Sequence, residues 1–377
     1  MRLLKICVLI AFFAGCSFPA LGTAHDELPS GYITVVDETG SIIYETGRKV
    51  HPGDEFINED NRLYEILLVD NSRALAVYKA NLSQDMNLDL ALPAQTPAEA
   101  PTTPLISIYH THNDESYIPT DGKATTPGKG SIMTVGDVFA TKLGELGYRT
   151  NHNKTLHEPH DANAYQRSRR TFIKLLSEQP TALFDLHRDS APLQSYITQI
   201  RGEDVAKLVL VVGRENQNFN TTQSYAKQIK AAADSKYKGL IRGIFIAHGN
   251  YNQDIMPRSM LVEVGTENNS LDAAKKSIAY FAETVPLFIQ LPKVAEAAGS
   301  DAGQTTNDAA SPPPPTPPGP TDYGSDIAKI LAVLVGGAGL YLYLSTGSWR
   351  ELKNKIRHFR KVEFTNFLGP LRRRRKK

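Results

Sequence analysis

A chain of 377 residues, 41% hydrophobic and 22% charged, has room for two modest globular domains, and its composition excludes wholesale disorder. The formal net charge is only +2, yet residues 346–377 hold twelve Lys or Arg against two Glu, so the rest of the chain is net acidic. Positive charge gathered beside an apolar run, rather than spread over a folded domain, excludes a nucleic-acid-binding protein.

Residues 1–24 place Arg2 and Lys5 ahead of an apolar stretch over 6–21, the layout of an export signal. Three fates are open to it. Gly22-Thr23-Ala24 offers small residues for cleavage, Phe13-Ala14-Gly15-Cys16 is a weak lipidation box because Phe replaces an aliphatic residue, and the segment can stay as an anchor. Both cysteines, Cys7 and Cys16, fall here. The exported body therefore has neither disulfide nor thiolate, and any metal in it must be held by His and carboxylate.

Residues 28–82 read as a small all-β domain of about five strands. The β-branched and aromatic runs begin at Tyr32, Ser41, Tyr64 and Ala74, with Asp37-Glu38-Thr39-Gly40 and Gly53-Asp54 as turns. No cluster of chemical residues stands out, which predicts a positioning or partner-binding role. Residues 83–104, with Pro93, Pro97, Pro101 and Pro104, read as a linker.

From 105 to 292 strand and helix signals alternate. Strands are expected at 105–109, 182–186, 208–212, 241–247 and 259–264, and helices at 135–146, 165–176, 223–233 and 271–287. This predicts an α/β fold, a three-layer catalytic domain around a mostly parallel sheet, preceded by the small all-β domain. Residues 296–326, rich in Pro from Pro312 to Pro320, read as an extended stalk. Residues 327–345 are apolar apart from Lys329 and long enough to span a bilayer. The basic tail, 346–377, then lies in the cytoplasm and the body outside, so the expected location is the cell membrane, with the membrane engaged through this C-terminal helix.

In α/β sheets ligands bind beyond the carboxyl ends of the strands. The first such end carries Tyr109-His110-Thr111-His112-Asn113-Asp114-Glu115, and the next strand ends in Asp185-Leu186-His187-Arg188-Asp189. Two His and one carboxylate from neighbouring strand ends match a three-ligand zinc site with an open fourth position: His112 or His110, Glu115 and His187. A third strand contains Glu263 among apolar residues, where a buried carboxylate needs a cation or a donor, and where it would act as general base. Arg188 is a candidate for steadying an oxyanion or Glu115, or an ion-pair residue. His157, in a loop with His152 and His160, is a candidate substrate contact, a second metal ligand or a solvated loop residue. Asn252 and Gln253 suit peptide or sugar recognition and equally suit turns.

These motifs, with Tyr251-Asn252-Gln253-Asp254 and Glu263-Val264-Gly265 followed by Asn268-Asn269, resemble the stage II sporulation protein P family, relatives of zinc-dependent N-acetylmuramoyl-L-alanine amidases. The resemblance covers about 105–292 and, more loosely, the β segment before it. It implies Zn2+ at His112, Glu115 and His187, catalysis by Glu263, and hydrolysis of the amide between N-acetylmuramic acid and L-alanine in peptidoglycan, with some cleavage of peptide cross-links. It also implies a lytic transglycosylase partner during engulfment of the forespore. His112 is favoured over His110 because in related amidases the ligand falls four residues after the last strand aliphatic, here Ile108; His110 is then left to contact substrate. The apolar segment at 327–345 departs from the family, which commonly uses an N-terminal anchor. A zinc carboxypeptidase or endopeptidase, or a non-catalytic wall-binding scaffold, are the alternative readings of the same residues.

Overall fold

A strand that is apolar on both faces needs a packing layer on each side. Five strands of this chain are buried on both faces and are packed in this way. In the computed structural model, which describes residues 27–87 and 103–291, β6 (Leu105–Tyr109), β8 (Ala182–Asp189), β11 (Leu208–Gly213), β12 (Ile241–Ala247) and β13 (Ser259–Thr266) are buried along their whole length. The N-terminal strands are β1 (Ile33–Val36), β2 (Ile42–Thr46), β3 (Glu55–Ile57), β4 (Arg62–Asp70) and β5 (Arg73–Asn81), and β7 spans Arg149–His152. They join the five in one sheet of order β2-β1-β5-β4-β3-β12-β11-β13-β8-β6-β7. The all-β segment is thus continued directly into the α/β body: β3 pairs antiparallel with β12, Phe56 opposite Phe245.

Within the body, β7, β6, β8 and β13 run parallel. β11 and β12 are parallel to each other, and β11 is antiparallel to β13. The reversal follows from the connection over residues 248–258, which has no helix; a parallel return needs a crossover of a dozen or more residues. A separate hairpin, β9 (Ile197–Ile200) with β10 (Glu203–Ala206), lay outside the strand pattern read from the sequence.

After the single-turn α1 (Ile118–Asp121), one face of the sheet is covered by α2 (Ile132–Glu145), α4 (Phe219–Lys236) and α5 (Leu271–Ala282). In α2 the buried Ile132, Val135, Phe139 and Leu143 recur every three or four residues, the spacing of a single apolar stripe. α5 starts where Ser270 Oγ accepts the Ala273 N–H at 3.1 Å. It ends at Ala282, short of the expected 287, because Pro286 has no N–H to continue the ladder and a 3-10 turn takes over at Val285–Leu287.

The opposite face is shared. α3 (Ala164–Leu176) buries Phe172 and Leu175 against Tyr109 and Leu183. The N-terminal strands lay Tyr44, Phe56, Ile66 and Ala76 on Val209, Val211, Phe245 and Leu261. Side chains alternate between faces along a strand, so Asp185 and His187 share this second face with Leu183, and Glu263 shares it with Leu261. It is also the face on which α3 and the N-terminal strands lie.

Residues 83–87 begin with packing rather than open chain, since a 3-10 turn at Asp85–Asn87 buries Met86 against the core. The export segment at 1–24, the remainder of the linker over 88–102, the stalk at 296–326, the apolar span at 327–345 and the tail at 346–377 lie outside the described residues. Among the described residues, no helix is long and apolar enough to cross a membrane.

Candidate metal centre and active site

β6 releases the chain into a loop over residues 110–131 that folds back under its own strand end. Thr126 N–H donates to Asp114 O at 2.7 Å and Ser116 N–H to Ala124 O at 2.8 Å. Gly130 closes the loop: a Cβ there would lie 2.3 Å from Asn113 O and 2.6 Å from Glu115 O, so no other residue fits. The result carries Glu115 inward, fully buried, beside the end of β8.

There three side chains singled out from the sequence meet. His112 Nδ1 lies 3.3 Å from Glu115 Oε1, and His187 Nδ1 lies 3.1 Å from the same oxygen. The second Glu115 oxygen accepts the Arg188 backbone N–H at 2.7 Å. A fourth residue joins them that the sequence did not suggest: Glu27 Oε1 is 2.9 Å from His112 Nδ1. Glu27 is brought there by an antiparallel bridge to Arg48, extended by the Leu28 N–H bond to Gly47 O at 2.8 Å. One ligand atom from each of Glu27, His112, Glu115 and His187 lies within 4.8 Å of all the others.

These residues fit a divalent cation. Buried His112 Nδ1 faces two carboxylates and makes a hydrogen bond to neither. His187 is supported from behind, its Nε2 lying 3.1 Å from Asp185 Oδ1. Asp185 is itself fixed by the Thr111 N–H at 2.8 Å and Thr111 Oγ1 at 2.6 Å. A carboxylate behind the far nitrogen of a ligating imidazole is the usual outer support of a metal-bound His. The charges agree as well. Burial opposes ionisation of Glu115, but His187, His112 and Arg188 outweigh it and hold the carboxyl well below its usual range. Burial likewise opposes the charge on His187, and Asp185 and Glu115 overcome it. Two carboxylates around imidazole nitrogens form a negative pocket that one divalent ion neutralises.

Glu263 stands directly across the ladder from His187. Beyond it the β13–β8 pairing shifts register, with Gly265 in the left-handed region at φ +70°. Arg48 Nε donates to Glu263 Oε1 at 2.6 Å, with both side chains buried, while Glu263 Oε2 has no hydrogen-bond partner. Burial raises Glu263 to about 7; Arg48 acts against that rise and Asp189 adds to it. Arg48, too, was not legible in the sequence. The N-terminal β segment, expected to have a positioning or partner-binding role, supplies Arg48 to this cluster, and Glu27 comes from the residue just before it.

The remaining candidates sit differently. His110 turns away from the cluster, its Nδ1 2.9 Å from Leu186 O and its Nε2 2.8 Å from His152 Nε2, and His152 Nδ1 continues to Asp137 at 3.0 Å. Burial, with His152 beside it, lowers His110 to about 3, so it is neutral. His157 is buried between His110 O and Thr171 Oγ1, at 2.7 Å from each. Gln253 caps β11, accepting the Gly213 N–H and donating to Val211 O, both at 2.8 Å. Asn252 donates to Tyr165 O and Ser168 Oγ at 3.1 Å and accepts from Arg169 at 3.3 Å. All four are buried and direct their polar atoms to internal partners, which for Asn252 and Gln253 accords with the turn-making alternative. Arg188 is buried with Nη2 on Ala124 O at 3.0 Å, and its backbone N–H rather than its guanidinium meets Glu115.

The sequence pattern of the Stage II sporulation protein P (SpoIIP) family matches residues 55–286, well over half of the chain. The chain belongs to the SpoIIP family. It is 29% identical over 250 residues to Stage II sporulation protein P of Bacillus subtilis (strain 168), a match covering 61% of each protein. The chain thus matches less than two thirds of that relative's length. Among solved structures, similarity extends to the N-acetylmuramyl-L-alanine amidase Ami1 of Mycobacterium smegmatis, at 14% identity and a TM-score of 0.33, covering 51% of this chain and 97% of that one. It extends also to the CwlD amidase of Clostridioides difficile in complex with the GerS lipoprotein, at 10% identity and a TM-score of 0.33, covering 50% and 97%. The SpoIIP match includes Arg242 to Gly265 and all of β6 to β13, but begins after both Glu27 and Arg48.

Proposed function

We propose that this SpoIIP chain is a zinc-dependent peptidoglycan hydrolase that cleaves the amide between N-acetylmuramic acid and L-alanine during sporulation. The observation that carries the reading is the convergence of His112, Glu115 and His187 on one point, with Glu263 opposite His187 and one of its oxygens unpartnered. The choice of bond rests on the family resemblance of the strand-end motifs.

His112, Glu115 and His187 would hold the zinc, and the fourth position, beside which Glu27 stands, would open to water or the amide carbonyl once Glu27 withdraws. Bound there, zinc supplies Lewis-acid polarisation of a carbonyl and lowers the pKa of water. The chain's own residues do the rest. Thr111 holds Asp185, whose carboxylate lies 3.1 Å from His187 Nε2, and the Arg188 backbone N–H holds Glu115, so the ligands are set in place without help from substrate. Glu263, at about 7, exchanges a proton near neutral pH. Its free Oε2 takes a proton from the water that attacks the amide carbonyl and returns it to the leaving nitrogen, giving a carboxylic acid and an amine. Arg48 keeps the carboxylate from rotating and offsets part of the cost of burying it.

In the same reading the enzyme is tethered by residues 327–345 with its body outside the membrane, accompanied by a lytic transglycosylase. Some cleavage of peptide cross-links accompanies the main activity.

Mass spectrometry of products from purified muropeptides tests the proposal. The expected products are a peptide with a free L-alanine amine and a glycan whose muramic acid carries a free carboxyl, both absent in chelator and restored by zinc. Cuts confined to the stem peptide, or full activity in metal-stripped protein, would overturn it.

A further inference from the structure

The turn between β2 and β3 is held by its own backbone: Asp54 N–H donates to His51 O at 3.0 Å, and Gly53 takes φ +89°, which glycine alone adopts without strain. That turn sets His51 and Asp54 against the end of β12, where His248 follows Ala247. Asp54 is completely buried and its orientation is fixed. Oδ2 accepts the His51 N–H at 2.7 Å, and Oδ1 accepts the His248 N–H at 2.9 Å.

The two imidazoles face the two oxygens. His51 Nδ1 lies 3.6 Å from Oδ2 and His248 Nδ1 lies 3.9 Å from Oδ1, and one ligand atom from each of the three residues lies within 4.8 Å of the others. Ligands bonded at about 2.0–2.1 Å to a tetrahedral ion stand roughly 3.3–3.5 Å apart, so small rotations close the set. His51 Nδ1 makes no hydrogen bond. His248 Nε2 lies 3.2 Å from Glu215 Oε1, the outer carboxylate contact that leaves Nδ1 with its lone pair. His51 is 43% and His248 53% exposed, so both rings have room to rotate at the surface.

We propose that His51, Asp54 and His248 form a second cation site, oriented by Glu215, for a late first-row divalent ion such as zinc or nickel. Imidazole nitrogens favour this class over magnesium or calcium. The site shares no ligand with the Glu27, His112, Glu115 and His187 cluster, and it joins two parts of the fold. His51 and Asp54 belong to the segment that also carries Arg48, and His248 directly follows β12. A bound ion therefore clamps the segment that delivers Arg48 to Glu263.

The test is zinc titration of the full chain against a competing chromophoric chelator, with His248→Gln and His51→Gln alongside. Both substituted side chains are about half exposed, so the fold is expected to survive, as far-UV circular dichroism would verify. Each variant should bind one ion fewer than the parent chain. Excess zinc should also raise the Tm of the parent chain by more than that of either variant. Equal stoichiometry in all three proteins, with affinities within threefold and identical Tm shifts, would overturn the proposal.

Discussion

Arg48 Nε and Glu263 Oε1 meet at 2.6 Å across a sequence separation of 215 residues, and both side chains are buried. The bond ties the segment after β2 to the middle of the α/β sheet. Arg48 opposes the rise that burial imposes on Glu263, so removing its charge should lift Glu263 above about 7. For Arg48→Met the acid limb of the rate profile against pH should move to higher pH. Because one partner of a buried pair is left uncompensated, unfolding free energy should fall by about 3–5 kcal/mol. A profile and a denaturation midpoint both unchanged would detach Arg48 from the site.

Glu27 offers a separate handle on the metal. With Glu27→Gln, His112, Glu115 and His187 still hold the ion and the fourth position is left open. Zinc affinity, measured by chelator competition, should drop, because an anionic donor facing the ion is lost. At saturating zinc, turnover should be no lower than in the parent chain. Unaltered affinity would take Glu27 out of the ligand set.

How much of this was legible in the sequence depends on where each residue sits. His112, Glu115, His187 and Glu263 stand at or near the ends of strongly apolar strands, where topology alone brings chemistry together. Glu27 and Arg48 come from a segment with no motif, and only the pairing of β3 with β12 and the bridge at Glu27 bring them near. Nothing local marks them. For Asn252 and Gln253 the sequence left substrate recognition and turn-making equally open, and their amides serve the fold. Tyr251 and Asn252 both take positive φ, and a backbone turned so sharply leaves Gly213 and Val211 to be capped by Gln253. The strand pattern missed β3 and the β9–β10 hairpin because three- and four-residue strands carry too little periodicity.

Gly136 of α2 passes directly over the His110–His152 pair. A Cβ at this position would lie 2.5 Å from His152 Nε2 and 2.8 Å from His110 Nε2, and His110 has no room to retreat. Gly136→Ala should therefore destabilise the fold by about 1–3 kcal/mol despite the better helix propensity of Ala. Urea denaturation would measure the change, and a gain in stability would contradict the packing described.

Asp254 receives two hydrogen bonds from Arg169, at 2.8 and 2.6 Å, which hold its carboxyl below the usual value. A carboxyl depressed in the folded state contributes stability above its unfolded pKa and loses that contribution as pH falls through the folded one. In Arg169→Met the Tm should therefore drop at neutral pH and converge on that of the parent chain in acid. The pair is partly exposed, so the effect should be modest and weaken further in salt. A Tm difference that widens as pH falls would reverse the sign of the account.

The central claim, that one cluster holds the metal while Glu263 moves the proton, is tested most directly by measuring zinc content and turnover together in Glu263→Gln. The background should carry His248→Gln, so that only the buried cluster contributes metal. The variant should retain one zinc per chain and lose turnover on muropeptides by about 100- to 10,000-fold, the usual worth of a positioned base. Turnover within a few-fold of the parent chain would make Glu263 a structural residue, and loss of the zinc would make it a ligand; either result contradicts the account.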